Sequence, residues 1–228
     1  MTGPDPDVAT PSIMVDTPVG EGRLLVAGDV AGEAPTLLLG HGASGGLNAA
    51  DLTAVAKRLP DAGVRVVLVQ QPWKTAGRKV AAPAPTLDRA WHALYAEATR
   101  RWPGPVVVGG RSSGARVACR TADVDGAAGV VCLSFPLHPP GRPEKSRLAE
   151  LLTPTIPVLV CQGSRNTFGG YDELTGHLAE QPDAANVTVV EIAGADHGMK
   201  VRKADDDPPG RAIDLVVASV REFVTAVV

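Results

Sequence analysis

Residues 105–119, Pro-Val-Val-Val-Gly-Gly-Arg-Ser-Ser-Gly-Ala-Arg-Val-Ala-Cys, constrain the fold more than any other stretch. They open with a short β-branched run that reads as a buried strand, and from Ser113 onward Ala and Val recur at helical spacing. Between the two lies Gly110-Arg111-Ser112-Ser113-Gly114, a G-x-S-x-G. A serine on so sharp a strand-to-helix turn has a strained backbone, and the helix must pass close to the strand, so small residues are needed on both sides. The helix N-terminus then turns free N–H groups and a partial positive charge toward any anion that forms beside Ser112. This is the geometry of a nucleophile elbow. A phosphate loop is the poorer reading, because the stretch lacks the lysine of G-x-x-x-x-G-K-[ST].

The same alternation runs along the whole chain. Ser12–Asp16 and Arg23–Ala27 are strand-like runs joined through Val19-Gly20-Glu21-Gly22, which suits an antiparallel hairpin at a sheet edge. Thr36–Gly40, Val64–Val69, Gly129–Ser134, Pro157–Cys161 and Val187–Ile192 read as buried strands. Helical spacing predicts helices over Ala49–Leu59 with Asn48 as N-cap, Thr86–Arg101, a short one near Arg147–Leu152, then Gly170–Gln181 and Ile213–Val227. On the second of these, Leu87, Ala90, Trp91, Leu94 and Ala98 form an apolar stripe, which makes Trp91 a core residue. A long Pro- and Ala-rich loop is expected from Gln70 to Pro85. Nearly all-apolar strands alternating with helices mean an α/β fold, a mostly parallel sheet covered on both faces. Residues 1–11 read as a flexible leader, and residues 12–228 as a single domain with ample material for a core.

Composition narrows the function classes. At 44% hydrophobic and 21% charged residues the chain is too apolar for disorder. A net charge of −3 without a basic stripe argues against nucleic acid, and favours a small-molecule substrate. The N-terminus has neither a basic start nor an apolar stretch, so no secretory signal is read there and the expected home is the cytoplasm. Cys119, Cys132 and Cys161 lie in apolar runs without C-x-x-C spacing, as buried reduced thiols do. Asp214, Arg221 and Glu222 interrupt the apolar C-terminus, so no membrane span is expected. The five histidines are scattered with no H-E-x-x-H, so no metal is expected.

Serine chemistry needs a base, a group to orient it, and donors for an oxyanion. His197 lies in the small-residue segment Ala193-Gly194-Ala195-Asp196-His197-Gly198 after the last strand, free to face a cleft, and is the candidate base. The oxyanion donors are the backbone N–H of Ser113 and one from the loop after Thr36–Gly40, for which Ala43 is the candidate. Gly40-x-Gly42-x-x-Gly45 also fits a dinucleotide fingerprint, but the next strand ends Val69-Gln70-Gln71, without the acid that holds a ribose hydroxyl. Lys74, Arg78, Arg111, Arg142 and Lys145 come from loops at the strands' carboxyl ends, either as anion contacts or as a solvated rim.

The set His41-Gly42, Gly110-x-Ser112-x-Gly114 and Asp196-His197, in this order on alternating strands and helices, resembles the α/β-hydrolase superfamily. Within it, Gln71-Pro72-Trp73, Ala76-Gly77-Arg78 and the segment Phe135 to Gly141 look like small bacterial hydrolases related to dienelactone hydrolases, a group to which the hydrolase-like domain of a regulatory subunit of the NSL acetyltransferase complex is similar. The resemblance implies a sheet of seven or eight strands, a serine nucleophile and no cofactor. Trp73, Arg78 and Arg111 stand as candidate substrate contacts. The connection from Leu133 to Pro157 is too short for a large lid.

One position departs from the pattern. Where related sequences look like Gly-x-Arg-Asp-x-Phe-Gly, this chain has Gly163-Ser164-Arg165-Asn166-Thr167-Phe168-Gly169. An amide at Asn166 can accept a hydrogen bond from imidazole, but it adds no charge and can favour the wrong tautomer; in a serine protease the equivalent change costs roughly 10⁴ in turnover. Asp172 is the candidate replacement acid, with Asn166 as a neutral orienter the other reading. The expected function is hydrolysis of a small ester, thioester or lactone through an acyl-enzyme on Ser112. Its rivals are a catalytically weak protein of this fold that binds a ligand or partner, and a cyclase or lyase using Ser112 and His197 without an acyl-enzyme.

Overall fold

The computed structural model describes residues 11–28, 30–43, 46–202 and 210–228. The expected leader lies outside the described residues except for Pro11, whose carbonyl accepts a hydrogen bond from the Val26 N–H at 3.0 Å. Eight strands form one sheet: β1 (Ser12–Thr17), β2 (Gly20–Ala27), β3 (Thr36–Gly40), β4 (Arg65–Gln70), β5 (Val106–Arg111), β6 (Gly129–Leu133), β7 (Val158–Gly163) and β8 (Val187–Ile192). Their order across the sheet is β1-β2-β4-β3-β5-β6-β7-β8. The β1–β2 and β2–β4 pairings are antiparallel and the other five are parallel. A parallel sheet must be covered on both faces, which is why its central strands are apolar throughout.

Among the described residues, seven α-helices supply the cover and the connections: α1 (Ala50–Arg58), α2 (Pro72–Thr75), α3 (Ala84–Arg101), α4 (Ser113–Asp125), α5 (Leu148–Leu151), α6 (Tyr171–Ala179) and α7 (Arg211–Val227). Strand side chains alternate between two cores. Leu38, Val67, Val108 and Val160 pack with α3, α4 and α6, whereas Leu37, Leu39, Val66, Val107 and Leu159 pack with α1 and α7. Trp91 is fully buried in the first core. Between β6 and β7 the only helix is the four-residue α5, so the fold carries no lid domain there. No helix among the described residues is long and apolar enough to cross a membrane.

Several local expectations are corrected. Asn48 does not cap α1: the N-cap position is Ala49, without a side-chain cap. The loop expected from Gln70 to Pro85 contains α2, and α3 begins at Ala84, because proline is tolerated in a helix's first turn. The hairpin is tighter than its glycines suggested, since Thr17 Oγ1 accepts from the Val19 N–H and donates to the Gly20 carbonyl, letting β2 start at Gly20. Glycine is required where α4 leaves the sheet. A Cβ on Gly110 would lie 2.6 Å from the Gly40 carbonyl oxygen, and one on Gly114 would lie 2.5 Å from the same atom. That close approach of β3, β5 and α4 aims the turn at Ser112 out of the carboxyl end of the sheet.

Candidate active site

Ser112 sits between β5 and α4 with φ 53° and ψ −111°, a conformation L-residues rarely hold, and its N–H is tied to the Leu133 carbonyl at 2.9 Å. The turn lifts its hydroxyl toward the loop after β8. There His197 Nε2 lies 3.0 Å from Ser112 Oγ, and His197 Nδ1 lies 3.0 Å from Asn166 Oδ1. Three residues from three loops thus form one hydrogen-bonded chain.

The tautomer of His197 follows from a third contact. The Phe168 N–H donates to Asn166 Oδ1 at 3.0 Å, and a backbone N–H can only donate. The amide oxygen is therefore the atom that faces the imidazole. His197 must carry its proton on Nδ1 to donate to that oxygen, which leaves Nε2 bare to accept from the Ser112 hydroxyl. The wrong-tautomer risk inherent in an asparagine is removed by the turn that holds it. Phe168 also stacks its ring on His197, with centroids 4.1 Å apart and planes at 28°. Asn166 is buried, and its Nδ2 has no partner among the described residues.

Asp172 is not in this chain. Both ring nitrogens of His197 already have their partners, and Asp172 lies exposed in the first turn of α6, which begins only after Gly169 and Gly170. Asp196 is committed elsewhere as well, its Oδ1 accepting the N–H groups of Gly198 at 2.7 Å and Lys200 at 3.0 Å. Burial and then the positive charge of Arg111 push the His197 pKa down to about 4, against the opposing pull of Asp196. The imidazole is neutral at physiological pH.

Arg111, a candidate substrate contact, is engaged in internal hydrogen bonds. Its Nε donates to Asp51 Oδ2 at 3.1 Å and its Nη2 to the main-chain carbonyl of His197 at 2.6 Å. Asp51, on α1, was not anticipated; burial pushes its carboxyl pKa up, against the attraction of Arg111. An acid beside Leu52 on a helix face that also carries Val55 is the sequence signal that would have singled it out.

The loop after β3 passes over Ser112, for a Cβ on Gly42 would lie 3.5 Å from the Ser112 Cβ. Ala43 follows it, exposed at the edge of the described segment. Ser113 is the first residue of α4, so its N–H is one that the helix leaves without an internal partner. His41 is structural: it is buried, accepts the Gln71 N–H on Nε2 at 3.2 Å, and donates from Nδ1 to the Gly42 carbonyl at 2.9 Å. Burial lowers its pKa and keeps it neutral. Trp73 packs edge-on against His41, with centroids 5.4 Å apart. Trp73 and Arg78 share the wall of a cavity of ≈ 220 Å³ with Gln71, Thr86 and Leu87. Ser112 and His197 do not line it, so it flanks the site.

Comparison with known proteins agrees with this architecture. An α/β serine hydrolase without lid from Xanthomonas campestris superposes with a TM-score of 0.69 at 18% identity, covering 98% of this chain and 95% of the other. An α/β serine hydrolase homologue from Coxiella burnetii gives 0.72 at 18% identity, covering 99% and 97%. A thermophilic carboxylesterase cloned from a metagenomic library gives 0.67 at 18% identity, covering 97% and 91%. At such identities the likeness concerns the fold. Residues 33–225, most of the chain, match the family described as alpha/beta hydrolase domain, and the chain belongs to that family.

Proposed function

We propose that this protein is a serine hydrolase that cleaves a small carboxylic ester, thioester or lactone through an acyl-enzyme. The observation that carries the reading is the chain from Ser112 through His197 to Asn166, each bond 3.0 Å, with the amide oxygen of Asn166 held toward the imidazole. Ser112 at its strained turn is the nucleophile of a nucleophile elbow. Its Oγ attacks the carbonyl carbon while His197 Nε2 takes the hydroxyl proton. The oxyanion is met by the N–H groups of Ser113 and Ala43, aided by the partial positive charge at the start of α4. When the tetrahedral species collapses, His197 returns the proton to the departing alkoxide or thiolate. A water molecule then repeats the sequence, losing its proton to His197 and releasing the acid from Ser112.

Asn166 orients His197 without adding charge, so the imidazolium that forms in each transition state is stabilised less than beside a carboxylate. Slow but genuine turnover follows. The carboxylesterase among the structural neighbours is a precedent for ester chemistry on this fold. The absence of a lid domain between β6 and β7 suits a modest substrate in an open cleft. The three cysteines are free and buried, which fits a reducing cytoplasm. The test is labelling with a fluorophosphonate followed by intact-mass analysis. One adduct, lost in Ser112→Ala, is the expected result; no adduct on folded protein would leave a fold that binds without catalysing.

A further inference from the structure

We propose that Arg111 is the positioning residue of this site, holding the His197 loop against Ser112 while Asp51 holds Arg111 from beneath. The proposal rests on Ser112 and His197 being the nucleophile and the base. Arg111 ends β5 and immediately precedes Ser112, so its backbone is fixed by the same turn. Its guanidinium reaches three segments at once. Nη2 donates to the carbonyl of His197 itself at 2.6 Å, Nε donates to Asp51 on α1 at 3.1 Å, and Nη1 lies 3.5 Å from where a Cβ on Gly42 would stand. The loops after β3, β5 and β8, which bring the proposed oxyanion donor, nucleophile and base, therefore meet on one planar group.

Folding energy is a poor explanation for this arrangement. The Asp51 side chain is 1% exposed and that of Arg111 11%, and a buried ion pair seldom improves on apolar side chains of the same volume, because both charges lose their hydration. Asp51 is itself fixed by the Leu52 N–H at 2.9 Å. A charge-assisted hydrogen bond to the backbone of His197 supplies the restraint that Asn166, a neutral partner, gives only weakly to the ring. Lysine cannot replace it, since a single ammonium does not span both acceptors in the fork geometry. The charged groups facing His197 are Arg111 from β5 and Asp196 from its own loop. Asp51 lies behind Arg111, Arg165 from the loop after β7 is turned to the Gly194 carbonyl, and Lys200 is exposed.

The test compares Arg111→Lys, Arg111→Met and Asp51→Asn, reading kcat and KM on an activated ester and the titration of His197 by ¹⁵N NMR. Loss of one contact in Arg111→Lys is expected to lower kcat about tenfold, and loss of both in Arg111→Met about a hundredfold, with KM nearly unchanged, as for a base displaced by about 1 Å. His197 should titrate at higher pH in Arg111→Met, where the cation is gone. It should not rise in Arg111→Lys or Asp51→Asn, which keep the cation. A His197 titration unmoved in a folded Arg111→Met would overturn the proposal. So would a folded Arg111→Met with kcat within twofold of wild type. If Arg111→Met does not fold, the other two variants decide, since kcat within twofold of wild type in both refutes the positioning role. Absence of Ser112-dependent hydrolysis in the wild type would defeat the enzymatic reading; the His197 titration would then judge Arg111 alone, an unmoved value in Arg111→Met refuting it.

Discussion

Replacing Asn166 by Asp exchanges an amide for a carboxylate of nearly the same shape, at a position whose geometry is already set. Oδ1 keeps its bonds to the Phe168 N–H and His197 Nδ1, both 3.0 Å, and the second oxygen takes the place of a buried Nδ2 that has no partner among the described residues. The change in turnover therefore comes from charge. At an effective dielectric of ~20, two unit charges ~4 Å apart attract by about 4 kcal/mol. Burying the new carboxylate returns part of that, leaving roughly 1.5–3 kcal/mol for the imidazolium transition state, or about 10- to 100-fold in kcat. The protease precedent of roughly 10⁴ is an upper bound, because much of that loss reflects a wrong tautomer, which the Phe168 N–H prevents here. The assay is p-nitrophenyl acetate hydrolysis across pH, with folding checked by circular dichroism. Wild type needs neutral His197, so its kcat/KM should hold down to about pH 4. In Asn166→Asp the acidic limb should move to higher pH while the plateau rises. A folded variant with neither change would refute the idea that this side chain faces the imidazole through its oxygen.

Asp172→Asn should leave kcat within about twofold, since Asp172 is exposed and His197 is bonded elsewhere; a loss of ~100-fold or more would return that carboxylate to the mechanism. Stability should also depend on His197. Its folded pKa is lowered to about 4 from 6.5, so the unfolded chain binds the proton first. The contribution is then complete above about pH 6.5 and lost as pH falls toward about 4. Urea midpoints measured over this window should show a downward slope that His197→Gln makes shallower, and an unchanged slope would mean the imidazole is not shielded.

What was legible in the chain follows the range of each interaction. Alternating apolar strands and helices, Gly110 and Gly114 around Ser112, and His197 after the last strand are local patterns, and they foreshadowed the sheet and the carboxyl end at which these residues meet. Asn166 was also visible as a departure, because it stands in a recognisable segment. The orientation of its amide was not, since that depends on a turn two residues long in which the Phe168 N–H selects the oxygen. The internal bonds of Arg111 were hidden for a different reason: its partner on α1 stands 60 residues away in sequence. Short elements such as α2 escape periodicity altogether, four residues being about one turn.

The arrangement of Ser112, His197 and Asn166 is tested most directly by the side-chain ¹⁵N and ¹H signals of His197 in the wild-type protein between about pH 5 and 8, within which its low pKa keeps the ring neutral. The structure predicts one tautomer throughout, with a proton on Nδ1 donating to Asn166 and a bare Nε2 whose shift changes in Ser112→Ala. A proton on Nε2, or a ring that titrates near the ordinary histidine value of about 6.5, would contradict it, for His197 would then have no lone pair facing Ser112 or no shielded site in which to use it.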